Sequence, residues 1–105
     1  MGLTIYWTDF SENELLNIFS FYQEKANIRI ATETTERIVN ETDVLENNPY
    51  IGQIEESLKD RTKEFRYLIY CNYKIIYWIN LDENQIEIWD IFDCRQNPVK
   101  IKRTK

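Results

Sequence analysis

The order of hydrophobic and polar positions predicts a strand, two helices and then three strands. Residues Leu3–Trp7 are short, apolar and β-prone, which is typical of a strand. Thr8 follows as a helix N-cap, with Asp9 and Glu12 in the first turn, where the helix dipole favours acidic side chains. Apolar residues at helical spacing then predict a first helix over about residues 9–24.

A second helix is predicted over about residues 28–46. Its apolar stripe is narrow, so we expect this helix to lie against a sheet along one side: Ala31, Thr35, Ile38, Thr42 and Leu45. Pro49 and Gly52 punctuate the segment that follows and end the helix. Residues 53–63 are polar and are predicted to form a loop.

The C-terminal half predicts three strands joined by tight turns. They are Phe65–Tyr70, Tyr73–Ile79 and Gln85–Phe92, with turn residues at Asn72 and at positions 82–84. The resulting fold class is α+β. The element order is β-α-α-β-β-β, and the helical hairpin packs on one face of a mainly antiparallel four-stranded sheet. We expect a single domain over residues 1–105, because a chain of this length supports one hydrophobic core.

Side-chain alternation assigns residues to the two faces of the predicted sheet. On this reading Arg66 and Lys74 share a face. Leu68, Ile76 and Trp78 are expected on an open face without helical cover. Exposed apolar groups of this kind favour a protein partner. In the other interpretation, the C-terminal tail folds over them.

Charge divides the chain into two unlike halves. Residues 1–57 carry 11 acidic and 3 basic residues, a net charge of −8. Residues 58–105 carry 7 acidic and 10 basic residues, a net charge of +3 within a total of −5. The second half includes a polar, basic tail from about residue 96, predicted to be a solvated end. The asymmetry indicates a face that meets an anionic partner, or a solvated acidic helix pair beside an ordinary sheet.

Several chemistries are excluded by residue type. The chain has no histidine and two cysteines, so it cannot build a Cys/His zinc site or a histidine-based catalytic triad. Its two glycines, Gly2 and Gly52, do not form a phosphate-binding loop. No secretory or membrane-spanning pattern is present. We therefore expect a cytoplasmic protein without a metal or a cofactor, and with Cys71 and Cys94 reduced.

A set of short motifs, in this order and spacing, resembles the RelE/ParE superfamily of toxins from bacterial type II toxin–antitoxin systems. The motifs cover roughly residues 3–99: Trp7 closing the first strand, Pro49-Tyr50-Ile51-Gly52 after the hairpin, Phe65-Arg66, Tyr73-Lys74-Ile75-Ile76-Tyr77, and Ile91-Phe92-Asp93-Cys94-Arg95. The resemblance implies a growth-inhibiting toxin that a cognate antitoxin neutralises. Some relatives poison DNA gyrase, some cleave ribosome-bound mRNA, and some have lost both activities.

The resemblance also implies where a target would bind. In a ParE-like toxin the contacts to gyrase would come from Arg66, Lys74, Asp93 and Arg95. In a RelE-like, metal-independent endoribonuclease, Arg66, Lys74 and Arg95 would be the catalytic cations. Such cleavage needs a base, an acid and cations around the phosphate. The chain departs from the cleaving relatives, because Leu68 stands where they have a second lysine.

The sequence leaves three functions open. The first is a ParE-like toxin that binds gyrase, the second is a RelE-like endonuclease, and the third is an inactive relative that only binds a partner. Leu68, Ile76 and Trp78 are the candidate antitoxin contacts. If Arg66 and Arg95 are exposed binding residues, replacing either with alanine should abolish growth arrest and leave the melting temperature nearly unchanged.

Overall fold

The structure is a computed structural model, and it describes residues 2–96 and 98–103. The described elements follow one another in this order: β1 (Thr4–Trp7), α1 (Asp9–Lys25), α2 (Ile28–Glu41) with a 3₁₀ continuation (Thr42–Glu46), β2 (Gln53–Ile54), a short 3₁₀ turn (Glu56–Leu58), β3 (Phe65–Tyr70), β4 (Tyr73–Asn80), β5 (Gln85–Asp93) and a C-terminal 3₁₀ segment (Pro98–Arg103).

Both helices begin at the polar residues that their sequences favour as caps. The backbone N–H of Ser11 donates to the Thr8 hydroxyl over 3.2 Å, which confirms Thr8 as the N-cap of α1. That hydroxyl also donates to the carbonyl of Ile88 over 3.0 Å, so the cap fixes α1 to β5. Asn27 caps α2 by accepting the N–H of Ile30 over 2.8 Å. These bonds satisfy donors that a helix start otherwise leaves unpaired.

The strands form one mixed sheet in the order β1-β5-β4-β3-β2. β1 runs parallel to β5, and the other neighbours are antiparallel. The predicted α+β class and the helical hairpin are confirmed, with one more strand than expected. The additional strand, β2, lies in the segment predicted to be a loop, where Gln53 pairs with Tyr67 and Ile54 with Arg66. Two polar-flanked residues are too few to show a strand period.

The main core lies between the helical hairpin and one face of the sheet, here called the helix-side face. The predicted stripe of α2 points into this core, with Ala31, Ile38, Thr42 and Leu45 all buried. From the sheet it receives the buried side chains of Tyr73, Ile75, Tyr77, Ile86, Ile88 and Ile91. Burying this apolar surface is the main stabilising contribution to a domain of this size.

The opposite face of the sheet, here called the outer face, carries a second, smaller core. It consists of the buried residues Leu58, Phe65, Ile76, Phe92 and Ile101. Ile101 comes from the C-terminal segment, and Leu58 from the short 3₁₀ turn before β3. The prediction that the basic tail is a solvated end is therefore wrong for this segment. It packs over part of the face that the sequence suggested was open.

Candidate functional site

The strand register separates Arg66 from Lys74. Arg66 is paired with Tyr77, whose side chain lies in the helix-side core, whereas Lys74 is paired with Ile69 and with Phe92 of the outer face. Directly paired residues point to the same face of a sheet. Arg66 thus lies on the helix-side face and Lys74 on the outer face, and the expectation that they share a face is wrong.

Arg66 holds a loop at the edge of the sheet. Its guanidinium donates to the carbonyl of Gly52 over 2.9 Å, forms an ion pair with Glu64 at 3.3 Å and lies over the ring of Tyr50. The side chain is 16% exposed. A guanidinium that is mostly buried against backbone carbonyls stabilises the local structure. Arg66→Ala is therefore expected to lower stability, contrary to the expectation from the sequence.

Tyr77 ties the same loop to the sheet. Its buried hydroxyl donates to the carbonyl of Pro49 over 2.7 Å and accepts the N–H of Gly52 over 3.0 Å. Burial raises the pKa of the Tyr77 phenol above its usual range, so it stays protonated at neutral pH. The Pro-x-x-Gly motif and the tyrosine of β4 thus form one structural unit that positions β2.

Lys74 forms an ion pair with Glu55 on the outer face. The Nζ–Oε1 distance is 2.6 Å, and the ammonium lies 4.3 Å from the centre of the Tyr67 ring. Burial alone would raise the pKa of Glu55, but the hydrogen bonds from Lys74 and Ser57 outweigh it and lower that pKa. The Glu55 carboxylate is thus charged at neutral pH. Glu55 and Lys74 border a cleft at the β2–β3 edge that Arg66 also lines.

Asp93 and Arg95 form a bidentate ion pair at the end of β5. The two contacts measure 3.0 Å from Nε to Oδ1 and 2.8 Å from Nη2 to Oδ2. The Arg95 guanidinium lowers the pKa of Asp93 to about 2, and Asn72 adds a hydrogen bond of 3.0 Å. Arg95 remains 60% exposed, so its free edge faces solvent in a geometry that Asp93 fixes.

A shallow groove runs beside this ion pair. α1 contributes Glu14, Asn17 and Phe21 to one wall, and Tyr73 lies on the sheet side. The hydroxyl of Tyr73 is 3.5 Å from that of Tyr22. Burial first, and then this contact, raise the pKa of Tyr73 well above its usual range. The tyrosine is therefore a poor proton donor or acceptor near neutral pH.

The three predicted cations do not converge. Arg66 lies beside Tyr77, and Arg95 follows Asp93, which is paired with Tyr73. Four residues along β4 separate these two positions, a distance of about 13 Å. Lys74 lies on the other face, and each cation contacts a carboxylate. Arg66, Lys74 and Arg95 thus do not form a cluster of free cations around one phosphate. The roles of these residues in binding a target remain predictions.

The three candidate antitoxin contacts also lie in different places. Leu68 packs against the helix-side core, whereas Ile76 is fully buried in the outer-face core and Trp78 is half-buried there. The expectation of one open face with these three residues is wrong, because Leu68 alternates to the other side and the tail covers Ile76. Their role in antitoxin binding stays a prediction.

The residues that sequence reasoning missed are acidic partners. Glu55, read as part of a polar loop, is buried against Lys74, and Asp90 is buried on β5 against Arg103 of the C-terminal segment. The sequence around Asp90 does indicate a buried ion pair. An acidic residue between Trp89 and Ile91, inside an apolar strand, requires a partner if it is buried.

Other kinds of site are not built by the part of the chain that the structure describes. Within residues 2–96 and 98–103 no group of three or more cysteine or carboxylate side chains could hold a metal ion. None of the helices in these ranges is long and apolar enough to cross a membrane.

Comparison with solved structures relates this fold to a known system. No model of a known protein family matches the sequence, and no curated protein matches it. A chain of the chromosomal ParDE TA system from P. aeruginosa is similar, with a TM-score of 0.72. The match covers 87% of this chain and 95% of that chain, at 16% sequence identity. The protein has a ParE-like fold. At 16% sequence identity, this similarity concerns the fold of the two chains.

Proposed function

We propose that the protein is the toxin of a type II toxin–antitoxin module, that it acts in the cytoplasm by binding DNA gyrase, and that a cognate antitoxin neutralises it. The observation that carries this proposal is the shared fold. Nearly the whole chain superimposes on a chain of a ParDE TA system, and that match spans 95% of the other chain. The motif order in the sequence supports the same assignment independently.

The geometry favours binding over catalysis. A metal-independent nuclease needs groups that exchange protons near neutral pH, together with cations free to surround a phosphate. The chain has no histidine, and burial raises the pKa values of Tyr73 and Tyr77. Arg66, Lys74 and Arg95 are each in contact with a carboxylate. These groups suit recognition by charge and shape.

If the protein acts by binding gyrase, we expect the end of β5 to be the surface that contacts it. Arg95 is the most exposed of the three predicted cations, and Asp93 orients its guanidinium. A guanidinium held in this way can contact a carboxylate or carbonyl of a partner without a large loss of side-chain entropy. Arg66 is mostly buried by loop contacts and has less surface available for a target.

A RelE-like mRNA endonuclease is the second candidate function, and one observation favours it. Lys74 and Glu55 place an ammonium and a carboxylate side by side at a cleft next to Tyr67. An RNA phosphate would have to displace Glu55 from Lys74 to use this cation. That displacement costs free energy, because Glu55 is buried and would lose the ammonium with which it forms an ion pair.

Induced expression in a bacterial host tests these functions together. Growth would be followed with and without co-expression of the adjacent small reading frame, while plasmid supercoiling and mRNA cleavage are measured in parallel. The proposal expects growth arrest, loss of supercoiling, intact mRNA and rescue by the adjacent gene. Cleaved mRNA with normal supercoiling would support the endonuclease. Normal growth, combined with binding to the adjacent gene product, would identify an inactive relative.

A further inference from the structure

Two tryptophans on the outer face share a cation supplied by the chain itself. The ammonium of Lys63 lies 5.0 Å from the ring centre of Trp78 and 5.6 Å from that of Trp89. Both distances fall within the range in which a ring face attracts a cation, and tryptophan is the side chain that does so most strongly. The two rings therefore form a small aromatic site with an ammonium ion in it.

A break in strand register lies at the second ring. Between β4 and β5, Ile76 pairs with Asp90 and Tyr77 pairs with Ile88, so Trp89 is an extra residue in β5. Such a bulge shifts the alternation of side chains by one residue, so that Asp90, the residue after Trp89, also points to the outer face. Trp89 lies on the outer face, as Glu87 does two residues earlier, and its ring meets Phe65 edge-on at 5.5 Å.

The carboxylate of Glu87 holds one of the two rings in place by a hydrogen bond. Glu87 is the strand neighbour of Trp78, and it accepts the indole N–H of Trp89 over 3.0 Å. The side-chain amides of Asn80 and Gln85 donate to its other oxygen over 2.8 and 3.0 Å. These three hydrogen bonds fix the carboxylate of Glu87, which in turn fixes the ring of Trp89.

The ammonium of Lys63 is held in this aromatic site by weak contacts. None of the ion pairs found in the described parts of the chain includes it, so ring faces supply its principal attraction. It comes from the segment between the 3₁₀ turn and β3. A cation–π contact near solvent contributes about 0.5–1 kcal/mol. A competing cation with additional contacts could take its place.

We infer that Trp78, Trp89 and Glu87 form a recognition site for a lysine or arginine side chain of a partner protein, and that Lys63 occupies it when no partner is bound. The inference goes beyond the proposed function, since it assigns a second surface and the chemistry of its occupant. The bound Lys63 identifies that chemistry directly: an alkyl ammonium fits between these rings.

The surroundings favour a protein over a nucleic acid as the source of the cation. Tyr6 of β1 is the strand neighbour of Glu87, lies on the same face and is 48% exposed. It extends the site with an amphipathic aromatic surface of the kind that protein interfaces use. Glu87, the strand neighbour of Trp78, also adds a carboxylate on this face, which attracts a basic side chain and repels a phosphate backbone.

Indole N–H signals in a nitrogen–proton NMR spectrum test the site on the intact protein. The probes are a capped lysine amide and its neutral Nε-acetyl analogue. Trp7, on β1 and packed on the helix-side core, is the internal control. Lys63→Met removes the resident cation and keeps the length of the side chain. Trp78→Phe and Trp89→Phe assign the two signals and keep a ring in each place.

The expected result is that lysine amide shifts the signals of Trp78 and Trp89 but not that of Trp7, while the neutral analogue shifts none of them. Removal of the competing Lys63 should strengthen binding about two- to five-fold, from the free energy of one cation–π contact. Absence of any shift in Lys63→Met, or equal shifts with the neutral analogue, would overturn the inference. Shifts with a single-stranded oligonucleotide alone would overturn it in favour of base stacking.

Discussion

Arg103 of the C-terminal segment forms a bidentate ion pair with Asp90, a residue of β5 whose side chain is 0% exposed. The Nε–Oδ2 and Nη2–Oδ1 distances are 2.9 and 3.0 Å, and Nη2 also contacts Glu14 of α1 at 3.1 Å. One guanidinium thus connects the end of the described chain to the sheet and to the first helix. Ile101, two residues earlier, is buried in the outer-face core.

Loss of this ion pair should destabilise the fold strongly. Arg103→Met leaves a buried carboxylate without its bidentate partner, and we expect the free energy of unfolding to fall by about 3 kcal/mol. Chemical denaturation measures this change. Arg95→Met is the matched control, because it breaks an equally bidentate pair in which the arginine is exposed. Equal losses in the two variants would show that the C-terminal segment does not anchor the sheet.

Gly52 should not tolerate a larger side chain. A Cβ at this position would lie 2.5 Å from the Tyr77 hydroxyl and 2.7 Å from the carbonyl of Tyr67. We expect Gly52→Ala to reduce stability by about 1–3 kcal/mol, as overpacking does in a tight site. In the double variant with Tyr77→Phe, one clash is removed, so the combined loss should be smaller than the sum of the two single losses. Additive losses would contradict this account.

The fold could be predicted from local patterns, whereas the site depended on register. The N-cap at Thr8, the stripe of α2 and the three long strands all follow from spacing within one element. The relation between Arg66 and Lys74 depends on which residues of β3 and β4 are paired. A shift of one residue moves a side chain to the other face. That register is fixed by the two-residue turn at Cys71 and Asn72.

The ion pairs between residues far apart in the sequence could not be predicted either. The alternation of β5 changes phase at the bulge at Trp89, and no composition signal marks it. The pairs Lys74–Glu55 and Arg103–Asp90 join residues 19 and 13 positions apart. Nothing in the local pattern distinguishes these charges from solvated ones. The acidic residue within the apolar strand β5 was the one sign that a buried pair existed.

Cys71 occupies a backbone conformation that suits glycine. Its φ is 52°, in the left-handed region, which costs an L-residue other than glycine about 1–2 kcal/mol. Glycine also loses more conformational entropy on folding, by roughly 0.5–1 kcal/mol. We therefore expect Cys71→Gly to stabilise the protein by about 0.5 kcal/mol. Cys94→Gly is the control and should be destabilising, because Cys94 has no positive φ. A loss of stability in Cys71→Gly would show that the backbone at this position does not strain the cysteine.

Asp93 should give the protein a distinct acid sensitivity. The Arg95 guanidinium lowers its folded-state pKa to about 2, below the value of about 3.9 in an unfolded chain. Its stabilisation is thus fully present above about pH 4 and disappears as the pH falls through about 2. The difference in melting temperature between wild type and Asp93→Asn should be largest above pH 4 and shrink towards pH 2. Asp82→Asn, in an exposed turn, is the control for the loss of one surface carboxylate.

Arg95 offers the most direct test of the proposed target surface. Its side chain is exposed and contacts Asp93, so Arg95→Ala should lower the melting temperature no more than Asp93→Asn does and should abolish growth arrest on induction. Arg29→Ala is the matched control, because Arg29 of α2 is also exposed and forms one surface ion pair, with Glu33. We expect that variant to remain toxic. Antitoxin binding by Arg95→Ala, measured by calorimetry, should persist. A fully toxic Arg95→Ala would place the target surface away from the end of β5.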